Sequence, residues 1–212
     1  MNGGGWQEGG GDDNALTLSD SLFLDGAWFG SNENAASLTG NRFLDGPATA
    51  PPAISVGLND GTFTDNLITG YSTGMALGGF IELGLVQGNV VAHSGTGIEV
   101  DQIGVGTIRG NLLVGNRADG LLVEPDAAAA PGAVEDNIAA MNGGDGIALA
   151  LNPGASSGSW AATVSANLAI GNGGYGIDSP GTQPRVAVTD GGGNMAFGNG
   201  SPGQCRDIAS AP

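Results

Sequence analysis

The first residues with types and spacing suited to chemistry are a small set of carboxylates. In Gly97-Ile98-Glu99-Val100-Asp101, extended-chain alternation sends Ile98 and Val100 to one side and Glu99 and Asp101 to the other. Counted from Gly120, which leads the next such run, Glu124 falls where Asp101 falls, and Asp126 lies just beyond. Asp101 and Glu124, one strand apart, could share a cation such as calcium or a single proton. Pro125 argues instead that Glu124 and Asp126 sit on a loop, and outward acids also serve simply to solvate a strand face. Asp25 and Asp45 form a second pair in matching Phe-Leu-Asp-Gly turns, where local turn hydrogen bonding is the expected role. Trp160 and Trp28 could stack on sugar rings or cover a core edge. His93 is the sole histidine and follows Val90-Val91-Ala92, near where later segments place asparagine. It reads as a polar member of that row rather than a general base. With one His and one Cys, Cys205, neither a His/Cys metal cluster nor a Cys-His nucleophile is available, and no Gly-x-Ser-x-Gly turn occurs.

Composition narrows the partners. The 212 residues hold 21 Asp plus Glu against five basic residues, all arginine, for a net charge of −16. Nucleic acid and anionic membranes both select clustered Lys and Arg, whereas Arg42, Arg109, Arg117, Arg185 and Arg206 are scattered. No apolar run approaches the ~20 residues of a membrane span. The first eight residues carry neither a basic nor an apolar segment of the signal-peptide kind, so either the protein is intracellular or the chain is a piece of something longer. Glycine contributes 42 residues, yet 40% of the chain is hydrophobic, which separates it from disordered chains.

The elements that must position these side chains come from a repeat. Asn111, Asn137, Asn167 and Asn194 each have a second asparagine five residues on and a glycine nine residues on. Asn66 and Asn89 begin looser copies, and Ser21-Leu22-Phe23-Leu24-Asp25-Gly26 echoes Asn41-Arg42-Phe43-Leu44-Asp45-Gly46. Leu38, Phe63, Val86, Ile108, Val134 and Val164 lie three residues before each leading Asn. Each repeat therefore holds three short strands, at spacings of 20, 25, 23, 22, 26, 30 and 27 residues. Such a coil is too thin to bury its own apolar side chains, so coils stack into parallel sheets ~4.8 Å apart. Asn66, Asn89, Asn111, Asn137, Asn167 and Asn194 are expected to form a ladder, adopting the left-handed conformation and bonding to their counterparts above and below. Glycine at each strand start is expected to supply positive φ. An antiparallel sandwich is the alternative, but it gives no reason for one motif in successive strands.

From about Leu16 to Ile208 this pattern resembles the right-handed parallel β-helix proteins of the pectate-lyase-like superfamily. The resemblance rests on Asn-apolar-apolar-x-x-Asn followed by Gly-Ile-x-Leu, as in Asn137 to Leu149, and on the ending Gly198 to Cys205, similar to a last coil. The second cysteine that often follows there is absent. The resemblance implies an all-β right-handed solenoid of about eight coils over 14–208, with a flexible Gly-rich acidic tail at 1–13 and a short tail at 209–212. It places the protein outside the cell or on its surface, with polysaccharide as partner. Relatives that cleave acidic glycans hold calcium on carboxylates and use a basic residue as proton acceptor. Transferred here, this implies Asp101, Glu124 and Asp126 as ligands and Arg109 as the nearest base. The acidic-His-acidic signature of mannuronan epimerases is missing, as are the Gly-His-Gly and Arg-Ile-Lys of polygalacturonases. The favoured expectation is thus a non-catalytic scaffold that requires no cofactor, with a calcium-dependent lyase or epimerase as the alternative. A third is an assembly protein that self-associates through uncapped coil ends.

Overall fold

The structure, a computed structural model, describes residues 6–7, 15–31, 35–47, 49–57, 60–78, 84–101, 106–124, 132–150, 160–179 and 186–208. Its strands form three parallel sheets, and each of eight coils adds one strand to each sheet in turn. Sheet 1 stacks Ala15–Ser19, Ala35–Thr39, Asp60–Thr64, Leu85–Gln87, Thr107–Arg109, Gly132–Glu135, Trp160–Ser165 and Val186–Gly192. Sheet 2 stacks Leu22–Leu24, Arg42–Leu44, Leu67–Thr69, Val90–Ala92, Leu112–Val114, Ile138–Ala140, Leu168–Ile170 and Met195–Phe197. Sheet 3 stacks Phe29–Ser31, Ile54–Gly57, Thr73–Gly78, Thr96–Asp101, Leu121–Glu124, Ile147–Leu149, Ile177–Asp178 and Cys205–Arg206. A ninth strand of sheet 3, Trp6–Gln7, pairs with Phe29 and Gly30. The repeat-free segment read as a tail therefore contributes a strand, because the edge of sheet 3 offers unpaired backbone groups to any extended neighbour.

Inward rows fill the core. Leu38, Phe63, Val86, Ile108, Val134 and Val164, the residues three before each Asn, are all fully buried. The inward row of sheet 2 shrinks along the axis, from Phe23 and Phe43 through Ile68, Val91 and Leu113 to Ala139, Ala169 and Ala196. Phe23 and Phe43 stack with ring centroids 4.3 Å apart, and Tyr71 meets Phe43 edge-on at 6.5 Å.

The shrinkage has a partner at the next corner, where a second asparagine ladder begins as the aromatics end. In the first ladder Asn66 donates through Nδ2 to Asn89 Oδ1 and to the Leu38 carbonyl, both at 2.9 Å. Its Oδ1 accepts the backbone N–H and the Nδ2 of Asn41, each at 3.0 Å. Every amide hydrogen and lone pair is engaged, which is the condition for burying such a group without loss. The same pattern runs through Asn89, Asn111, Asn137 and Asn167 to Asn194, and it begins one coil earlier than expected, at Asn41. The second ladder joins Asn116, Asn142, Asn172 and Asn199 in the same manner. Ser94, not His93, holds the rung before Asn116, with its N–H on Asn116 Oδ1. One rung earlier stands Tyr71, whose hydroxyl runs down the axis to the Ala27 carbonyl at 2.6 Å.

Two expectations about backbone conformation are corrected. The ladder asparagines are not left-handed; the residue just before each one is, as in Gly40, Asp65, Gly88, Gly110, Asp136 and Ala166. His93 is the left-handed residue of the second corner at φ 54°, in the row of Gly115, Met141 and Gly171. The glycines leading the sheet 3 strands have ordinary φ. A Cβ at Gly120 would lie 2.6 Å from the Gly146 carbonyl and 2.8 Å from Asn142 Nδ2, and Gly146 repeats this against Gly176 and Asn172. These positions need absence of a side chain rather than freedom of the backbone.

Candidate functional site

With its buried amides engaged in the two ladders, the chain keeps its exposed chemistry on outward faces, and the three faces differ. Sheet 1 presents mainly hydroxyls: Thr17, Ser37, Thr62, Thr107, Thr163 and Thr189 share one row, interrupted by Leu85 and Ala133. Sheet 2 presents aliphatic side chains. Sheet 3 presents acids. In its two middle strands inward and outward residues alternate, with Ile98, Val100, Leu121 and Val123 fully buried and Glu99, Asp101, Leu122 and Glu124 facing out.

Asp101 and Glu124 are direct neighbours in register, one coil apart. Glu124 is the last residue of its strand and not part of a loop; Pro125 lies outside the described residues. Asp126 lies outside the described residues. Burial raises the Glu99 carboxyl above its ordinary range, and Asp101 adds to the shift. Burial does the same for Glu124, helped by the charges of Asp101, Glu99 and Asp119. The last contribution links this pair to a second group of acids.

That group sits where Asp119-Gly120 and Asp145-Gly146 lead into sheet 3. Asp119 Oδ1 accepts the Asp145 N–H, and Asp145 Oδ1 accepts the Tyr175 N–H, both at 2.6 Å. Gly144 and Gly174 make room for these carboxylates, since a Cβ at either would strike the Oδ1 below. Burial raises the Asp145 carboxyl to about 6; the Tyr175 N–H opposes this, while Asp178, Asp119 and a hydrogen bond shared with Asp178 add to it. Asp119 is raised too, first by burial and also by Asp178, against the bond from Asp145. Asp178 continues the row of Glu99, Leu122 and Ala148. Arg206 grips it with two parallel bonds and lies 5.1 Å from the Tyr175 ring centre.

Other candidates are dispersed. Arg109 is on sheet 1, exposed, with Nε donating to Gln87 Oε1 at 2.9 Å. The structure does not bring it to Asp101 and Glu124, because its strand lies past the next bend of the coil. Trp28 is half-buried with its six-membered ring against Gly30, where a Cβ would lie 2.5 Å from Cζ3. Trp160 starts a sheet 1 strand opposite Val186, whereas Trp28 just precedes the sheet 3 strand Phe29–Ser31; the Trp160 side chain lies outside the described residues. Among the described residues no three His, Cys, Asp or Glu side chains are placed to hold a metal ion, and no helix is long and apolar enough to cross a membrane. Sequence reasoning missed Asp119, Asp145, Asp178, Tyr175 and Arg206. For Asp119, Asp145 and Tyr175 the signal was an Asp or Tyr just before the strand-leading glycine in successive repeats; Asp178 and Arg206 carried no such signal.

The coil ends carry caps of their own. Asn194 Nδ2 donates to Asp190 Oδ1 at 3.0 Å, closing the first ladder. Gln204 closes the second by imitating a further rung, with Oε1 accepting the N–H and Nδ2 of Asn199.

The family described as the right handed beta helix region matches residues 25–190. No curated protein and no solved structure matches the chain.

Proposed function

The chain belongs to the right-handed β-helix family, a scaffold fold, and from that premise we propose that it is a surface or secreted scaffold, without chemistry of its own, that binds glycan along sheet 3. The observation that carries this reading is the gathering of Glu99, Asp101, Asp119, Glu124, Asp145 and Asp178 on or beside one face. The half-buried carboxylates of Glu99, Asp101 and Glu124 accept hydroxyl donors, and Leu122 beside them offers apolar ground for the C–H face of a sugar, whereas Asp178 is buried under Arg206. An acid-rich face repels polyuronates, so the glycan is neutral. Affinity electrophoresis in neutral and in acidic polysaccharide tests this. Retardation in the neutral gel alone, weakened at least ~10-fold by Glu99→Ala with Glu124→Ala, is expected. Equal mobility in all gels, or unchanged retardation in the variant, refutes it.

A second reading, a calcium-dependent lyase or epimerase, draws on the facing carboxyls of Asp101 and Glu124, whose mutual repulsion a divalent cation would relieve. Asp126 would complete the ligand set, and the base would have to be a residue other than Arg109. Calorimetry with calcium and then a chelator, together with an assay for unsaturated products from acidic glycans, separates the two. A calcium-dependent rise in Tm with product formation favours the enzyme.

A further inference from the structure

Sheet 2 carries an unpartnered face that the glycan reading does not use. Each of its strands has three residues with only the middle one turned inward, leaving two outward positions per coil. Of these outward residues only Arg42 and Thr69 are not apolar. Every large apolar side chain that is exposed among the described residues lies here or at the adjoining corner: Leu22, Leu112, Ile138, Met195, Phe197 and, at 66% exposure, Met141. Monomeric proteins scatter such residues singly, and a continuous strip marks a contact surface.

We infer that this face joins two copies of the chain in a closed dimer, packed sheet to sheet with their long axes antiparallel. Three observations select a second copy. The first is charge. The chain carries −16, yet none of its acids lies at an outward position of sheet 2; Asp20, Asp65 and Asp136 border it at one corner and Asp25 and Asp45 at the other, so the face itself sets no acid against an acid when two copies meet. The second is area. Seven steps of ~4.8 Å give a strip about 34 Å long, and three residues give a width of about 10 Å. With side-chain relief and the Met141 corner each copy offers roughly 500 Å², so a pair buries about 1,000 Å², the lower bound of a specific interface. The third is access. Each sheet 2 strand is entered through only two residues and left through three to seven, except after Leu44, where 45–53 intervene, so apart from that one connection no long insertion borders the face. Antiparallel axes follow from Arg42, in the second coil. A two-fold along the axis would oppose the two guanidinium groups, whereas a two-fold across it sets each near Leu168 in the seventh coil of the other copy, where its stem packs on apolar surface. Sheet 3 stays outward in both copies.

Sedimentation equilibrium of the full chain tests the inference. A monomer–dimer equilibrium that stops at two is expected. Leu112→Lys with Ile138→Lys should raise the dissociation constant at least ~100-fold while keeping the far-ultraviolet circular dichroism and Tm of the monomer. The two lysines also reduce the net negative charge, so long-range repulsion between the copies cannot explain dissociation. Leu112→Thr with Ile138→Thr, of strand-favouring type, serves as the second variant and should shift the equilibrium in the same direction. A monomer at all concentrations, or a dimer unaffected by both variants, overturns the inference. So does an open series of larger species, which would place the contact at the coil ends. A monomer that instead floats with neutral phosphatidylcholine vesicles overturns it in favour of a lipid surface.

Discussion

Replacing one interior rung of the first ladder tests the account of how these coils are held in register. Asn111 makes four side-chain hydrogen bonds: Nδ2 to Asn137 Oδ1 at 2.9 Å and to the Val86 carbonyl at 3.0 Å, and Oδ1 from the N–H and Nδ2 of Asn89 at 3.0 Å each. Asn111→Ala removes all four. Asn89 Nδ2 keeps the Phe63 carbonyl and Asn137 Oδ1 keeps the Asn111 backbone N–H, so each of these retains a partner. The buried Asn89 N–H loses its side-chain acceptor. At about 1 kcal/mol per bond, with a further ~1 kcal/mol for a buried donor left without its acceptor, the loss comes to about 4–5 kcal/mol. Urea unfolding followed by circular dichroism reads it as a lower midpoint. Amide exchange reads it locally, because the Asn89 N–H should change from slow to fast. Asn111→Asp keeps the shape and the acceptor oxygen but turns two donors into a carboxylate facing two oxygens. Its folded-state pKa must rise, so its penalty grows as pH increases above the unfolded value of ~3.9. Ser21→Ala is the control. The ladder uses only the Ser21 backbone N–H, so a change within ~0.5 kcal/mol is expected. If Asn111→Ala costs no more than this control and the Asn89 amide stays protected, register comes from apolar packing and the ladder argument fails.

Further outcomes follow from corner geometry and from the acids. Gly110→Ala, at φ +61° with open space around it, should cost about 1 kcal/mol, whereas Gly120→Ala, with ordinary φ but no room, should cost about 3 kcal/mol in thermal melts. Tyr71→Phe should lower stability by about 1 kcal/mol through loss of its 2.6 Å bond to Ala27; burial, with Asp45 and Asp25, holds this phenol up at about 12, so the effect should not vary between pH 6 and 9. Asp145 is raised from the model-compound value of 3.8 to about 6. The folded state therefore binds the extra proton, and stability falls as pH rises through this window. Asp145→Asn should raise Tm at pH 7.5 and flatten its slope between pH 4 and 6; an unchanged slope would refute the assignment.

Much of the fold was legible because one repeat recurs with fixed strand motifs while its insertions are confined to particular turns. Counting from Gly97 and Gly120 was enough to set Asp101 against Glu124, since parallel register in stacked coils is the register of the motif. The apolar face of sheet 2 was not legible. Leu112-Leu113-Val114 and Ile138-Ala139-Ala140 read as buried runs, yet only the middle residue points fully inward, and three-residue strands are too short to show alternation. The role of His93 was off by one residue, because the left-handed position and the ladder rung are adjacent and both favour small polar residues. The grouping of Asp119, Asp145 and Asp178 was hidden by a turn of several residues between the first two and the third. Only the folded corner shows that a carboxylate before the strand reaches one within the strand of the next coil.

In both ladders each asparagine sends one amide hydrogen to the rung of the later coil and turns its amide oxygen toward the earlier one, while its second hydrogen meets a backbone carbonyl of the earlier coil. The side-chain dipoles are therefore aligned head to tail along the axis, as peptide dipoles are in a helix, with the positive pole at the C-terminal end. The first ladder ends there on the Asp190 carboxylate and the second on the Gln204 carbonyl oxygen. A coil stack is thus electrically polar, favouring an anion at its last turn and disfavouring a cation. Asp190→Asn, which keeps an acceptor and removes the charge, should cost about 0.5 kcal/mol at low salt and less at high salt.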